Sequence, residues 1–164
     1  MRLLSIDPSI VSIGIAVLID GEYKESYTFR TNDKQCAEKR LLQIAQHFRE
    51  IGGKYDCAIL ELPSTFIRQG RYGLKNVHSL FLLHLSIGVI IGGLSSHPDL
   101  KIKFVKVGDW KGKVSKRYTQ AYAKDLIGKD LNTHEADAFM MATNWLSREK
   151  YNREVAEETQ KSQK

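Results

Sequence analysis

Apolar residues at the start of the chain come in short runs separated by turn residues. The first, Arg2-Leu3-Leu4-Ser5-Ile6-Asp7, ends in a carboxylate. Pro8-Ser9 turns the chain, and residues 13–19 leave as a second apolar run. Both are short and bounded by turn residues, which predicts buried strands. Asp20-Gly21 is a two-residue hairpin signal. Residues 22–30 then alternate, with Tyr23, Tyr27 and Phe29 on one face and Lys24, Ser26, Thr28 and Arg30 on the other. That period predicts a third, antiparallel and half-buried strand.

The pattern then switches to the helical period. Asn32 and Gln35 have the spacing of a capping box, and Leu41, Ile44, Ala45, Phe48 and Ile51 form an apolar stripe that Gly52-Gly53 ends. Residues 56–61, Asp-Cys-Ala-Ile-Leu-Glu, predict a second strand ending in an acid, stopped by Pro63. Residues 64–75 read as a loop. A helix capped by Asn76 runs to Leu94, apolar nearly all round and so expected to be buried on most sides. Residues 101–107 predict a strand near a sheet edge, and 108–113 a loop. Ser115 caps a helix to Leu126, and a last helix runs from Asn132-Thr133 through Trp145. Beyond Ser147 the chain is charged and poor in apolar residues, so 147–164 is expected to be a frayed helix or disordered. Three meander strands followed by crossovers imply an α/β fold: a five-stranded mixed sheet with helices on both faces, in one domain over 1–146.

Composition narrows the class only a little. At 164 residues the chain is long enough for an ordinary core. A formal charge of +6 suits a polyanionic partner without requiring one. Cys36 and Cys57 lack metal-ligand spacing and read as reduced cysteines of a cytoplasmic protein. No signal-peptide pattern opens the chain. The most apolar run, 80–94, is interrupted by His84 and reads as too short for a bilayer.

The candidate chemistry is acidic. A charge at the tip of a buried strand is costly without compensation. Asp7 and Glu61 each end an apolar strand, so adjacent first and fourth strands would bring them together. The last helix opens His134-Glu135-Ala136-Asp137-Ala138, in which His134 and Asp137, three apart, share a face. Glu135 points about 100° away, where it can cap Asn132. Three carboxylates side by side need a cation or a raised pKa. Oxygen-rich sites of this kind select magnesium or manganese, and a pair of ions suits phosphoryl displacement. Each residue has a plainer reading as well. Asp7 before Pro8 can start a turn, Glu61 can be a solvated strand end, Asp137 can answer the helix dipole, and His134 can be a surface histidine.

In this arrangement the residues resemble the RuvC-type Holliday junction resolvases of the ribonuclease H-like superfamily. Ser5-Ile6-Asp7-Pro8-Ser9 with Gly14-Ile15-Ala16 resembles the family's opening hairpin. Ile59-Leu60-Glu61 resembles its second acidic strand, and His134-Glu135-Ala136-Asp137-Ala138 its closing motif. The likeness covers about residues 1–146, and the short second-acid region with Trp110-Lys111-Gly112 is closer to phage-encoded members. It implies a homodimer that nicks two opposed strands of a four-way DNA junction, with two Mg2+ (or Mn2+) ions per site. Asp7, Glu61 and Asp137 would hold the metals, and His134 would ligate an ion or manage a proton. Lysines before the last two helices would contact DNA, here Lys111, Lys113 and Lys116 with Arg117. The position of the family's junction wedge holds Ser64, with Phe66 two residues on.

Arg68, Arg71 and Lys75 follow Glu61, and with Lys111 to Arg117 they would make a positive rim around the acids. Phe66 and Tyr72 are candidates for stacking on unpaired bases. The helix over 76–94 is expected to give one face to its own sheet and one to a second copy. The function expected is a metal-dependent endonuclease for Holliday junctions and other branched DNA, acting in the cytoplasm (a host's, if phage-encoded). The rivals are a ribonuclease of the same superfamily acting on RNA–DNA hybrid or structured RNA, a non-catalytic branched-DNA binder, and an actin-like ATPase, whose fold needs two such domains.

Overall fold

The computed structural model describes residues 1–63, 73–111 and 115–162, with the backbone alone for 73–76, 116, 153 and 157–162. The strands are β1 (Arg2–Asp7), β2 (Ser12–Ile19), β3 (Glu22–Arg30), β4 (Cys57–Leu62) and β5 (Lys101–Lys106). The helices are α1 (Ala37–Ile51), α2 (Gly73–Leu94), α3 (Val107–Trp110), α4 (Lys116–Ile127) and α5 (Thr133–Ser162), with a 3-10 turn at Gly52–Lys54. The sheet order is β3-β2-β1-β4-β5, antiparallel across the first three strands and parallel from β1 to β4 to β5. This is the expected mixed sheet, with β5 at an edge.

The two-residue period of β1 and β4 divides the core. Leu3, Cys57 and Ile59 face one layer with Phe139, Met141 and the buried alanines of α5. Leu4, Ile6, Ala58 and Leu60 face the other layer with Ile44 and Phe48 of α1 and Ile87, Ile90 and Leu94 of α2. Small residues set the closeness of both layers. Ser5 donates its hydroxyl to the Ala138 carbonyl at 2.6 Å, pinning α5 to β1. On the opposite face a Cβ on Gly93 would stand 2.8 Å from the Ala45 carbonyl oxygen, so α1 and α2 touch backbone to backbone there.

Several local expectations change. Tyr23, Tyr27 and Phe29 do not share a face. The pairing slips between Val17 and Leu18, whose partners are Glu25 and Tyr23, and such a bulge reverses the side-chain alternation. Tyr23 therefore packs edge-on against Phe139 of α5, while Phe29 stacks on His47 of α1 at 4.1 Å. Asn32 and Gln35 form no capping box. The Asn32 side chain accepts from the Lys34 amide, its carbonyl from that of Gln35, and the turn delays the helix to Ala37, with Cys36 as the capping position. α2 starts at Gly73 rather than after Asn76, and part of the loop over 108–113 is the short helix α3. α5 continues beyond Trp145 to Ser162 as one helix, because 147–162 is rich in strong helix formers and contains neither Gly nor Pro.

α2 also differs from expectation. Between Val77 and Leu94 only Ser86, Ile87, Ile90, Gly93 and Leu94 are buried, all on one side. Val77, Phe81 and Leu85 are exposed, and a Cβ on Gly88 or Gly92 would have nothing within 4 Å among the described residues. The helix buries one face, not most sides. Over Val77–Leu94 it is long and apolar enough to cross a membrane by length and composition, contrary to the reading of 80–94 as too short. Its packing against α1 and the sheet instead makes it a wall of this domain.

Candidate active site

The register brings the strand-end acids together. Ile6 pairs with Leu60 across the parallel β1–β4 ladder, so Asp7 and Glu61 follow side by side. Asp7 has the parity of Leu3 and Ser5, and Glu61 that of Cys57 and Ile59; both therefore lie on the face covered by α5. The first turns of α5 bring His134 and Asp137 to the same place. His134 Nδ1 is 2.8 Å from Asp7 Oδ2.

Two devices place the start of α5. Gly14, the register partner of Asp7, lies so close to His134 that a Cβ would overlap the His134 carbonyl. Asn132 accepts from the amides of His134 and Glu135 at 3.0 and 3.1 Å, while its own amide reaches Thr28 of β3 and Glu135. Thr28 in turn donates to Glu135 at 2.9 Å. The expected pairing of Glu135 with Asn132 is present, and it extends across to the sheet.

Burial raises the pKa of the Asp7 carboxyl. The bond and charge of His134 and the charge of Lys111 oppose that rise, and Asp137 adds to it. Glu61 is pushed up to about 7, by burial first and then by Asp7 and Asp137, with Lys111 opposing. The buried Trp110 indole also favours the ionised Glu61, although its Nε1 makes no full hydrogen bond. Asp137 pairs through Oδ2 with the Lys111 ammonium, while its buried Oδ1 has no partner among the described residues. Among the described residues the site is therefore three carboxylates within each other's field, with the Lys111 ammonium set against them.

Two solved structures share this architecture. One is T. thermophilus RuvC in complex with Holliday junction substrate, with TM-score 0.70 and 17% identity over 88% of this chain and 91% of that one. The other is a Thermus thermophilus RuvC structure, with TM-score 0.66 and 16% identity over 88% and 92%. This is the RuvC fold. No family model and no curated protein matches the chain. At this identity, the likeness to RuvC speaks for the fold, and the chemistry has to come from the residues.

Their donor chemistry fits a divalent cation. Among the described residues Asp137 Oδ1 has no partner, and the burial and carboxylate charges that raise Glu61 are answered only in part by Lys111. As they stand, among the described residues, no three such side chains close a coordination shell. The Lys111–Asp137 pair and the His134–Asp7 contact take up donor atoms that an ion would need.

Other sequence candidates are placed unevenly. Arg117 is exposed on the first turn of α4. Lys111 is not on an outer rim; its side chain is 18% exposed and lies among the acids. Phe66, Arg68, Arg71, Tyr72 and Lys113 lie outside the described residues, as do the side chains of Lys75 and Lys116. Sequence reasoning missed the inward turn of Lys111, the place of Trp110 beside Glu61, and the need for glycine at 14. Only the last left a signal, a glycine within an otherwise aliphatic strand.

Proposed function

We propose that this chain is a metal-dependent, structure-selective endonuclease that resolves Holliday junctions and other branched DNA. The observation that carries the reading is the convergence of Asp7, Glu61 and Asp137 at one end of β1, β4 and α5, with Lys111 as the ammonium that the described residues set against them. The similarity to a RuvC solved with a Holliday junction supports branched DNA as the substrate class. The chain would be a phage-type member, a reading supported by the short second-acid region and the Trp110-Lys111-Gly112 segment, which are closer to phage-encoded members.

Asp7, Glu61 and Asp137 would hold two Mg2+ ions, or Mn2+ in their place. Ions held there would lower the pKa of an attacking water and neutralise charge on the phosphate and the leaving oxygen. The chain's own part is positional. β1 and β4 hold two carboxylates at adjacent strand ends, and the Asn132–Glu135–Thr28 network holds the turn that presents Asp137. His134, more open than Asp7 beside it, would complete an ion's shell or move a proton at the scissile phosphate. The basic residues at 68, 71, 75, 113, 116 and 117 would hold the flanking phosphates, with Phe66 and Tyr72 stacking on unpaired bases.

Symmetric nicking of two strands needs two sites related by a two-fold axis. The exposed apolar face of α2 suits a second copy of the chain. The protein would act on DNA in the cytoplasm.

The test compares wild type with Asp7→Asn and Glu61→Gln on a synthetic four-way junction in magnesium, beside a flap and an RNA–DNA hybrid duplex. Junction nicking by the wild type should vanish in both variants, with junction binding retained. Undiminished nicking by either variant would remove the proposed metal site, and preferential cutting of the hybrid would move the substrate to RNA.

A further inference from the structure

Lys111 is held in an unusual place for a lysine that follows an edge strand. β5 ends at Lys106, and the four-residue helix α3 buries Trp110 and turns Lys111 back towards α5. The Lys111 amide bonds to the Val107 carbonyl at 2.9 Å, so the backbone at this point is fixed. Its ammonium pairs with Asp137 Oδ2 and lies 5.1 Å from the Trp110 ring centre. Both partners are largely withdrawn from water, at 18% and 8% side-chain exposure. The same charge acts on Asp7 and Glu61. The Lys111 ammonium thus serves three carboxylates, and it uses an oxygen of the residue whose other oxygen has no partner among the described residues.

Resting on the nuclease reading, we propose that Lys111 is an exchangeable counter-cation of the acidic centre: its ammonium holds Asp137 while no metal is bound, and a divalent cation displaces it. Several features make the exchange feasible. A lysine ammonium is a point charge on a flexible four-carbon stem, so it can withdraw while its backbone stays anchored by α3. A divalent cation brings twice the charge and takes several oxygen ligands at once, which a single ammonium cannot match. Because the two cations compete for Asp137, each weakens the hold of the other by the same factor. Lys111 then keeps the carboxylates folded together before metal arrives and sets a threshold metal concentration for loading the site.

The experiment titrates Mn2+ into the full chain without DNA, by calorimetry, for wild type, Lys111→Met and Lys111→Arg. Removing the competing charge should tighten Mn2+ binding by about tenfold in Lys111→Met, with Lys111→Arg close to wild type. Metal-free Lys111→Met should also melt below metal-free wild type, and the gap should close when both are loaded. A second measurement uses wild type alone, so it does not depend on the variants folding. Acylation of Lys111, followed by mass spectrometry, should be slow without metal and several-fold faster with Mn2+. Equal or weaker Mn2+ binding by Lys111→Met, or acylation that Mn2+ does not speed up, overturns the exchange alone. Absence of Mn2+ binding by every form overturns the nuclease reading and the exchange with it.

Discussion

Gly14 and His134 meet with no room for a methyl group between them, and this contact sets how closely α5 rests on β2. Because Gly14 is also the register partner of Asp7, the packing contact and the acidic site share one point of the fold. A Cβ at this position must push against the backbone of a helix turn, which has little freedom to yield. Gly14→Ala is therefore expected to cost about 2–4 kcal/mol of stability in urea unfolding. Gly88→Ala, in open space on a helix, should be neutral or stabilising by up to about 1 kcal/mol. Equal effects would mean that α5 is not seated where Gly14 puts it.

Glu61 gives the metal-free protein a pH dependence of defined sign. Its carboxyl is raised from 4.5 in the unfolded chain to about 7 in the fold. The folded state therefore binds the proton more tightly. Its contribution to stability is complete below about pH 4.5 and is lost as the pH rises through 7. Glu61→Gln stays neutral throughout, so without metal it should be the more stable protein at pH 8, by an amount on the order of 3 kcal/mol. The two proteins should converge near pH 4.5. Adding Mn2+ at pH 8 should stabilise wild type and not the variant. Urea midpoints at the two pH values check this, and a variant no more stable than wild type at pH 8 would refute the raised carboxyl.

Asn132 tests how the site is held rather than what it contains. Its side chain serves two amides at the start of α5 and ties that turn to Thr28 and Glu135. Asn132→Ala should cost about 1 kcal/mol of stability, the usual worth of such a cap. It should also weaken Mn2+ binding, because the helix turn carrying Asp137 loosens. Asn132→Asp keeps the two amide bonds but sets a carboxylate against Glu135, so it should restore only part of the stability. A loss of stability with unchanged metal affinity would make Asn132 a cap alone.

The buried strands and the antiparallel meander of the first three were legible in the sequence, because the runs at 2–7, 13–19 and 56–61 each carry enough aliphatic surface to fix their own identity. The convergence of Asp7 and Glu61 followed from both lying at the ends of buried strands, and Asp137 with His134 from a spacing of three in a helix. What could not be read depends on contacts between distant segments. The bulge near Tyr23 arises from pairing with Val17 and Leu18, and strict alternation in the sequence hides it. Lys111 looked like one basic residue among several, because nothing local indicates that α3 turns it inward. The open face of α2 was hidden for the opposite reason. Its composition suits burial, and only the packed structure separates the side against α1 from the side left bare.

That bare side is where a second copy of the chain is expected. Phe81 is 58% exposed and Leu85 38%, and with Gly88 and Gly92 they follow one stripe along α2. The helix is also tied to the site, since Ser86 donates to the Ser9 carbonyl in the turn after Asp7 at 2.8 Å. Phe81→Glu removes no contact from the core of the single chain, so its unfolding free energy should change by no more than about 0.5 kcal/mol at equal folded mass. In a dimer joined through this face the same change buries a charge against apolar surface, which is not tolerated without a partner. Light scattering at micromolar concentration should find a dimer for wild type and a monomer for Phe81→Glu. Cleavage of a four-way junction should then change from two coupled nicks to single, independent ones. A variant that remains dimeric and nicks in pairs would place the two-fold axis on another face of the molecule.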